Sequence, residues 1–512
     1  MHFVFTQDFG GQDEIDRYSS FMADVAQMVV SKYDGSLKAE HGTGRNMAPY
    51  VEMEWGKDAY LLMKRIKHIF DPNNLLNPGV LLNNDPQVHL KNFKPLPSAN
   101  GIIDKCTECG FCEPTCVSAE LTLTPRQRIV AYREMARLVK TGHEPHLAAS
   151  ISKAFQYSGN ETCATDGLCA TACPVKIDTG KLIKNLRTEQ IADKQKMATW
   201  IADHMGGVTS SVSKALSMVG FFHTILGTSA MKGISGALRN ISAKHIPLWN
   251  PHMPLGAKKI NTSHTIKSSN KVVYFPSCIN RAMGVSKENS KEKQLSEKML
   301  DLLNKGGFEV IYPANFNSLC CGMAFSSKGY IQAGQKKSDE LETALLKASE
   351  NGKYPLLCDM SPCLFTMREN MGQSMKLYEP VEFILDHLLP NLEITPLQET
   401  ITVFPVCSMK KMGLDAKLIE LAEKCATKVI VPDANCCGFA GDRGFSFPEL
   451  NHHGLRDLKI QLPPEVKNGY CNSRTCEIGL SLHSGIMHQS IVYLVDQVSK
   501  SKNNLFKSNI FI

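Results

Sequence analysis

The pattern Cys106-x2-Cys109-x2-Cys112-x3-Cys116 sets four thiols on one short stretch of chain. Thiolates are soft, anionic donors for iron. Gaps of two residues let one loop wrap three corners of a cubane, while the fourth cysteine reaches a neighbouring cluster. A zinc site usually separates two ligand pairs by a longer finger, and unligated core cysteines have no reason to fall at this spacing. The pattern therefore points to [4Fe–4S] clusters. A second run, Cys163-Ala-Thr-Asp166-Gly-Leu-Cys169-Ala-Thr-Ala-Cys173-Pro174, keeps the frame but has Asp166 where a cysteine is expected. The two-cluster rule groups Cys106, Cys109, Cys112 and Cys173 around one cluster, and Cys116, Cys163 and Cys169 around the other. Asp166 is then either a carboxylate ligand of the second cluster or a solvated turn residue before Gly167. A carboxylate is a harder and weaker donor for iron, so this cluster is expected to be labile or altered in potential. Val117 stands where a proline commonly follows the fourth cysteine.

Eleven of the 18 cysteines lie between 278 and 476, and ten of them fall into an internal repeat. Lys271-Val-Val-Tyr-Phe-Pro-Ser-Cys278 echoes Ile401-Thr-Val-Phe-Pro-Val-Cys407. Cys320-Cys321-Gly322 echoes Cys436-Cys437-Gly438, and Cys358-x4-Cys363 echoes Cys471-x4-Cys476. Adjacent cysteines are unsuited to a disulfide between themselves and suit bridging of two metals, with Gly322 or Gly438 giving the backbone close access. Cys425, inside Leu421-Ala-Glu-Lys-Cys425, belongs to neither set and reads as a core residue.

The elements that must carry these cysteines follow from local pattern. Each repeat opens on a short β-rich run, passes a helical stretch (Glu288 to Gly306; Ala416 to Thr427) and meets a second β-run, which predicts tandem α/β units with parallel strands. Leu295, Met299, Leu302 and Leu303 share one helical face. Thr124-Pro125 is a cap followed by proline at the first helical position, so Thr122 to Lys140 is a helix and the first cysteine module is helical. Lys94-Pro95-Leu96-Pro97 marks a linker. Thr209 to Lys271 reads as a connecting arm with an amphipathic helix at 212–226. Over 512 residues, 43% apolar and 21% charged content is that of a globular chain, and a net charge of +7 does not argue for nucleic acid. Met1 is followed by neither a basic n-region nor an apolar h-region, so no secretory signal and no oxidising compartment are expected, and clustered cysteines then mean metal rather than disulfides. No apolar run reaches the length of a membrane span.

With these motifs in hand, three resemblances become specific. Each repeat resembles the CCG domain of heterodisulfide-reductase subunits and of the membrane-side subunit of anaerobic glycerol-3-phosphate dehydrogenase. That likeness implies five cysteines per copy (Cys278, Cys320, Cys321, Cys358, Cys363; Cys407, Cys436, Cys437, Cys471, Cys476) holding a noncubane cluster or contributing to a quinone-proximal site. In that family the last two cysteines are two residues apart rather than four, which makes Cys363 and Cys476 the closer matches of each pair. The amino-terminal segments His2-Phe-Val-Phe-Thr, Lys38-Ala-Glu40-His41-Gly42-Thr43-Gly44-Arg45 and Phe70-Asp-Pro-Asn-Asn-Leu-Leu-Asn-Pro-Gly79 resemble the carboxy-terminal part of a flavin oxidase cap domain of the vanillyl-alcohol-oxidase type, D-lactate and D-2-hydroxyglutarate dehydrogenase branch. There the resemblance implies Glu40 and His2 as ligands of a divalent metal (Zn or Mn), His41 as the base for the 2-hydroxyl proton, and Arg45 as a cation for a distal carboxylate.

The order of segments is similar to that of the fused flavin/iron–sulfur D-2-hydroxyacid dehydrogenases. It implies an α+β and α/β multidomain chain: 1–98 the end of the cap domain, 99–200 a helical two-cluster ferredoxin module, 201–270 the arm, 271–395 and 396–500 the two CCG domains. The flavin-binding half is expected from an upstream segment or a separate chain. The function expected is the electron-transfer portion of an FAD-dependent D-2-hydroxyacid dehydrogenase, passing electrons from flavin to a quinone or cytochrome, in the cytoplasm or peripherally on the inner face of the cell membrane. The rival readings are a heterodisulfide-reductase-like thiol/disulfide enzyme and a non-catalytic iron–sulfur subunit that docks a separate flavoprotein.

Overall fold

The computed structural model describes residues 9, 11–38, 42–93, 98–191, 194–242 and 246–502, so the expected linker Lys94-Pro95-Leu96-Pro97 lies outside the described residues. The chain divides into two compact units, Met1–Thr107 with Tyr132–His143, and Glu108–Ala131 with Glu144–Ile512.

In the first unit, helix Gln12–Gln27 buries Tyr18, Met22 and Ala26, one side chain per turn, in a cluster with Leu37 and Tyr50. Helix Lys57–Phe70 stops before Asp71-Pro72, because the residue preceding a proline is driven out of the helical region. Asp71 then organises the chain beyond it. Its carboxylate accepts from the Lys67 ammonium and from the backbone N–H groups of Leu75 at 2.9 Å and Leu76 at 2.8 Å, and these donors hold its pKa down to about 2. The Asn77-Pro78-Gly79 turn needs glycine at its end, where φ is +76°.

The second unit holds two four-stranded sheets of identical order. In the first repeat, β1 (Lys271–Phe275) lies between β2 (Glu309–Ile311) and β3 (Leu356–Cys358), with β4 (Leu377–Tyr378) outside β3. In the second, β5 (Leu397–Val403) lies between β6 (Ala426–Ile430) and β7 (Asn468–Cys471), with β8 (Met487–Ser490) outside β7. Every neighbouring pair is parallel, as the alternation of β-runs and helices predicts. The intervening helices are Leu295–Lys305 and Asp415–Cys425. The second ends two residues before the expected Thr427, because Ala426 and Thr427 already belong to β6 and the Thr427 hydroxyl donates to the Glu399 carbonyl.

The two repeats share one core. Helix Leu295–Lys305 packs on Ile491–Val498, and Pro380–Phe383 packs on Asp415–Cys425, so the helix before the second strand of each copy meets the helix after the last strand of the other. This is the self-complementary contact of a two-fold dimer made within a single chain. Glu379 crosses that junction, accepting from Ser361 Oγ and Asn472 Nδ2, each at 2.6 Å, and from the Val381 N–H. Strands Leu392–Ile394 and Ser499–Ser501 pair antiparallel. Ahead of the repeats, helices Pro125–Thr141, Pro145–Phe155, Leu168–Ala172 and Thr179–Gln190 make up the predominantly helical cysteine module. The arm is a longer helix than expected, Met205–Ile241, with a non-helical break at Gly227.

Candidate metal centres

A parallel sheet delivers side chains to its carboxyl edge, where loops and helix N-termini converge. The repeat cysteines all sit there. Cys358 and Cys471 are the last residues of β3 and β7, Cys278 and Cys407 open the helices that follow β1 and β5, and Cys363 and Cys476 lie in the first turn of helices Ser361–Asn370 and Arg474–Ser484. In the first copy the thiols form an unbroken row. Cys278 Sγ is 3.6 Å from Cys320 Sγ, and Cys320 is hydrogen-bonded to Cys321, Cys321 to Cys363, and Cys363 to Cys358. In the second copy Cys407 meets Cys436, Cys436 meets Cys437, and Cys437 Sγ donates to Cys476 Sγ at 3.0 Å, with Cys471 in electrostatic reach of Cys437 and Cys476. None of the cysteines is in a disulfide.

Glycine follows each cysteine pair for two reasons. Gly322 and Gly438 hold φ of +84° and +71°, and a Cβ on either would lie 2.1 Å from the Gly334 carbonyl oxygen or 2.3 Å from that of Leu450. Their backbone N–H groups point at Cys320 Sγ (3.5 Å) and Cys436 Sγ (3.4 Å). The ionisation of the rows is uneven. Hydrogen bonds from Cys320 and Cys363 draw Cys321 down to about 6. Cys278 is pushed up by its bond to Cys320 and by burial, and Cys407 by its bond to Cys436 and by burial. Buried thiols in contact cannot all ionise without a cation among them, and soft metal ions supply that charge while displacing the protons. Among the described residues no group of three or more His, Cys, Asp and Glu side chains is gathered closely enough to hold a metal ion. The thiols lie in rows rather than around one point.

Each row has a cation three residues after its first cysteine. Buried Arg281 donates to the Leu319 carbonyl, lies 5.8 Å from the Phe275 ring centroid and reaches Cys278, Cys320 and Cys363 electrostatically. Lys410 donates to the Ala434 and Asn435 carbonyls at 2.8 and 3.2 Å, lies 5.9 Å from the Phe404 ring and reaches Cys436 and Cys407. The Cys-x2-Arg and Cys-x2-Lys spacing is present in the repeat, but nothing in one sequence distinguishes such a cation from a solvated one.

In the helical module a small cavity is lined by Cys116, Cys163, Cys169 and Asp166, with Arg128, Val117, Thr179 and Gly180 among its other walls. Arg128 is fully buried. It donates to the Gly159 carbonyl (2.7 Å) and to Ser118 Oγ (2.9 Å), and Nη1 lies 3.6 Å from Cys116 Sγ. Arg187 holds the Cys163 carbonyl at 3.0 Å and the Asn160 carbonyl at 2.7 Å, and burial lowers its pKa to about 9. Asp166 occupies a turn before Gly167, accepting from the Leu168 N–H at 3.1 Å, but its carboxylate faces inward. Burial raises its pKa against the hydrogen bonds from Leu168 and from the Cys436 thiol, so it touches the second repeat's cysteine row. Val117 packs with Leu168, Cys436 and Leu450 in the same contact. Cys109 is exposed, Cys112 and Cys173 are half-buried, and the Cys106 carbonyl accepts from Arg133 at 3.0 Å. Cys425 is fully buried in the shared core, where burial pushes its thiol up to about 12. Arg45 is exposed on the short helix Gly44–Met47, while His2, Glu40 and His41 lie outside the described residues.

Comparison with known proteins agrees with this layout. Residues 1–81 match the C-terminal domain of FAD linked oxidases, 102–177 the 4Fe-4S dicluster domain and 272–368 the cysteine-rich CCG domain. Glycolate oxidase subunit GlcD of Bacillus subtilis is 35% identical over 85 residues, 17% of this chain and 18% of that protein. The mitochondrial D-lactate dehydrogenase [cytochrome] of Arabidopsis thaliana is 41% identical over 69 residues, 14% of this chain and 12% of that protein. A component of the anaerobic glycerol-3-phosphate dehydrogenase of Escherichia coli is 24% identical over 169 residues, 31% of this chain and 42% of that protein. The chain thus spans less than half the length of each of these relatives. No solved structure matches. One polypeptide thus carries, in this order, segments similar to the C-terminal domain of FAD linked oxidases, a 4Fe-4S dicluster domain and a cysteine-rich CCG domain.

Proposed function

We propose that this chain is the electron-transfer portion of an FAD-dependent D-2-hydroxyacid dehydrogenase, with D-lactate or D-2-hydroxyglutarate as substrate and a quinone or cytochrome as acceptor. The observation that carries this reading is continuity: the cavity lined by Cys116, Cys163, Cys169 and Asp166 leads through Asp166 to the row that begins Cys407–Cys436. The relative named as a D-lactate dehydrogenase favours it over a thiol/disulfide enzyme. The chemistry supplied by flavin and iron–sulfur clusters, when bound, is hydride acceptance followed by one-electron transfer.

In this reading, Cys106, Cys109, Cys112 and Cys173 hold one cubane, and Cys116, Cys163, Cys169 and Asp166 the other. The repeat cysteines hold the remaining iron. Arg128, Arg281 and Lys410 set positive charge beside the thiolates and favour the reduced state. His41 takes the 2-hydroxyl proton, Glu40 and His2 hold a Zn or Mn ion, and Arg45, which is exposed, meets a distal carboxylate. The flavin-binding half comes from an upstream segment or a second chain, and the assembly works in the cytoplasm or on the inner face of the membrane.

Iron and acid-labile sulfide counts on anaerobically purified protein test this. About sixteen irons per chain support four loaded sites, and about eight would leave the repeats empty and remove them from the path. Absence of any paramagnetic signal after dithionite reduction would overturn the reading.

A further inference from the structure

Helix Met205–Ile241 wears its amphipathicity inside out. Before the break at Gly227, the buried positions are Met205, Thr209, Gly220 and His223. After it they are Met231, Ser235 and Arg239. This mostly small or polar stripe is fastened to the protein. Ser213 Oγ donates to the Ala257 carbonyl at 2.8 Å, Gly220 packs on Leu255, and Arg239 donates to the Ile246, Phe445 and Ser446 carbonyls. His223 Nε2 lies 2.8 Å from Thr228 Oγ1 across the break and fixes the bend.

The outward stripe is the apolar one. Met218, Phe221, Phe222 and Ile225 stand at i, i+3, i+4 and i+7, and are 59, 62, 47 and 64% exposed. On the second arm Ile234, Leu238 and Ile241 repeat the pattern. A surface helix normally turns such a stripe to the core, and a contiguous exposed patch marks a contact surface.

Charge identifies what the patch meets. Residues 204–270 contain no Asp or Glu and seven Lys and Arg, against a nearly balanced chain of 57 basic and 50 acidic residues. Lys214 and Lys232 are exposed on the two arms. Yet among the described residues no helix is long and apolar enough to cross a membrane. Apolar side chains at the level of acyl chains, flanked by cations at the level of phosphates, are the signature of a helix that lies in the interface.

We infer that the bent helix Met205–Ile241 is an interfacial anchor for an anionic phospholipid bilayer, with Met218, Phe221, Phe222 and Ile225 inserted and Lys214 and Lys232 at the headgroups. This deepens the membrane-facing part of the function proposed above, but depends on no bound iron. Flotation of the purified chain with vesicles tests it, comparing phosphatidylglycerol/phosphatidylcholine with phosphatidylcholine alone. Binding to the anionic vesicles is expected, at least tenfold weaker to the neutral ones and weakened by salt. The combined variant Phe221→Ser, Phe222→Ser, Ile225→Ser should lose at least tenfold more. Its side chains contact solvent, so an unchanged thermal midpoint and unchanged iron content are expected. Absence of vesicle binding, or unchanged binding by the variant, overturns the proposal and leaves the electron-transfer reading intact. It is equally overturned if the variant binds vesicles normally but dissociates a homodimer or a flavoprotein complex, since the patch then belongs to a protein partner.

Discussion

The Cys436 thiol donates a hydrogen bond to the carboxylate of Asp166, joining the dicluster region to the cysteine row of the second repeat. Asp166 also reaches Cys169 and Cys407 electrostatically, so one carboxylate acts on thiols of two candidate sites. Added negative charge opposes reduction of a nearby cluster. Asp166→Asn, which keeps an oxygen donor in the same place but removes its charge, is therefore expected to raise the potentials of both sites, by an amount on the order of 1–2 kcal/mol or roughly 50–100 mV. A redox titration followed by electron paramagnetic resonance checks this, and a shift confined to one signal would contradict the shared contact.

Gly322→Ala and Gly438→Ala should each abolish iron incorporation into their own repeat. The added methyl meets a carbonyl oxygen at 2.1 or 2.3 Å on a backbone already at positive φ. Because the two sites are built on separate sheets, each variant is expected to lose about half of the repeat iron. Metal analysis of the single and double variants is the check.

Glu379 makes the repeat junction sensitive to base. Burial raises its carboxyl from 4.5 to about 7 in the folded chain, against the hydrogen bonds from Ser361, Val381 and Asn472. The folded pKa lies above the unfolded one, so its contribution is complete below pH 4.5 and is lost as pH rises through 7. The loss is about 3 kcal/mol. Glu379→Gln should flatten that slope in denaturant titrations between pH 5 and 8, while setting an amide N–H against the Val381 donor.

His488 has the opposite sign. Burial lowers its imidazole from 6.5 to about 4. Its stabilisation is complete above pH 6.5 and falls by about 3 kcal/mol as pH drops toward 4, where the ring must charge inside the fold. The ring fills the space over Gly469, where a Cβ would lie 2.4 Å from it. Gly469→Ala should therefore destabilise at every pH, whereas His488→Leu should remove the acid limb. Thermal midpoints across pH 4–7 separate the two effects.

Much of the architecture was legible from short-range pattern. The duplicated β-runs and Cys-Cys-Gly motifs announced two parallel α/β units, because strand alternation and turn glycines are local properties. Asp71-Pro72 and Thr124-Pro125 marked helix ends, because a proline constrains only its immediate neighbours. Cys116, Cys163 and Cys169, which spacing groups together, line one cavity with Asp166, whose place in the sequence left it either a ligand or a turn residue.

What the sequence alone determined, then, is which residues have metal-binding chemistry and which elements carry them. Tertiary structure decided which of those elements meet. The contacts of Cys436 with Asp166 and of Asn472 with Glu379 join residues far apart in the chain, and no local preference encodes them. Arg128, Arg281 and Lys410 are cations whose importance depends on burial, which is a property of the packed molecule. The Met205–Ile241 helix shows the same division. Its periodicity establishes that one face is apolar, but only the packing of Thr209, Gly220, Ser235 and Arg239 against the protein turns that face outward.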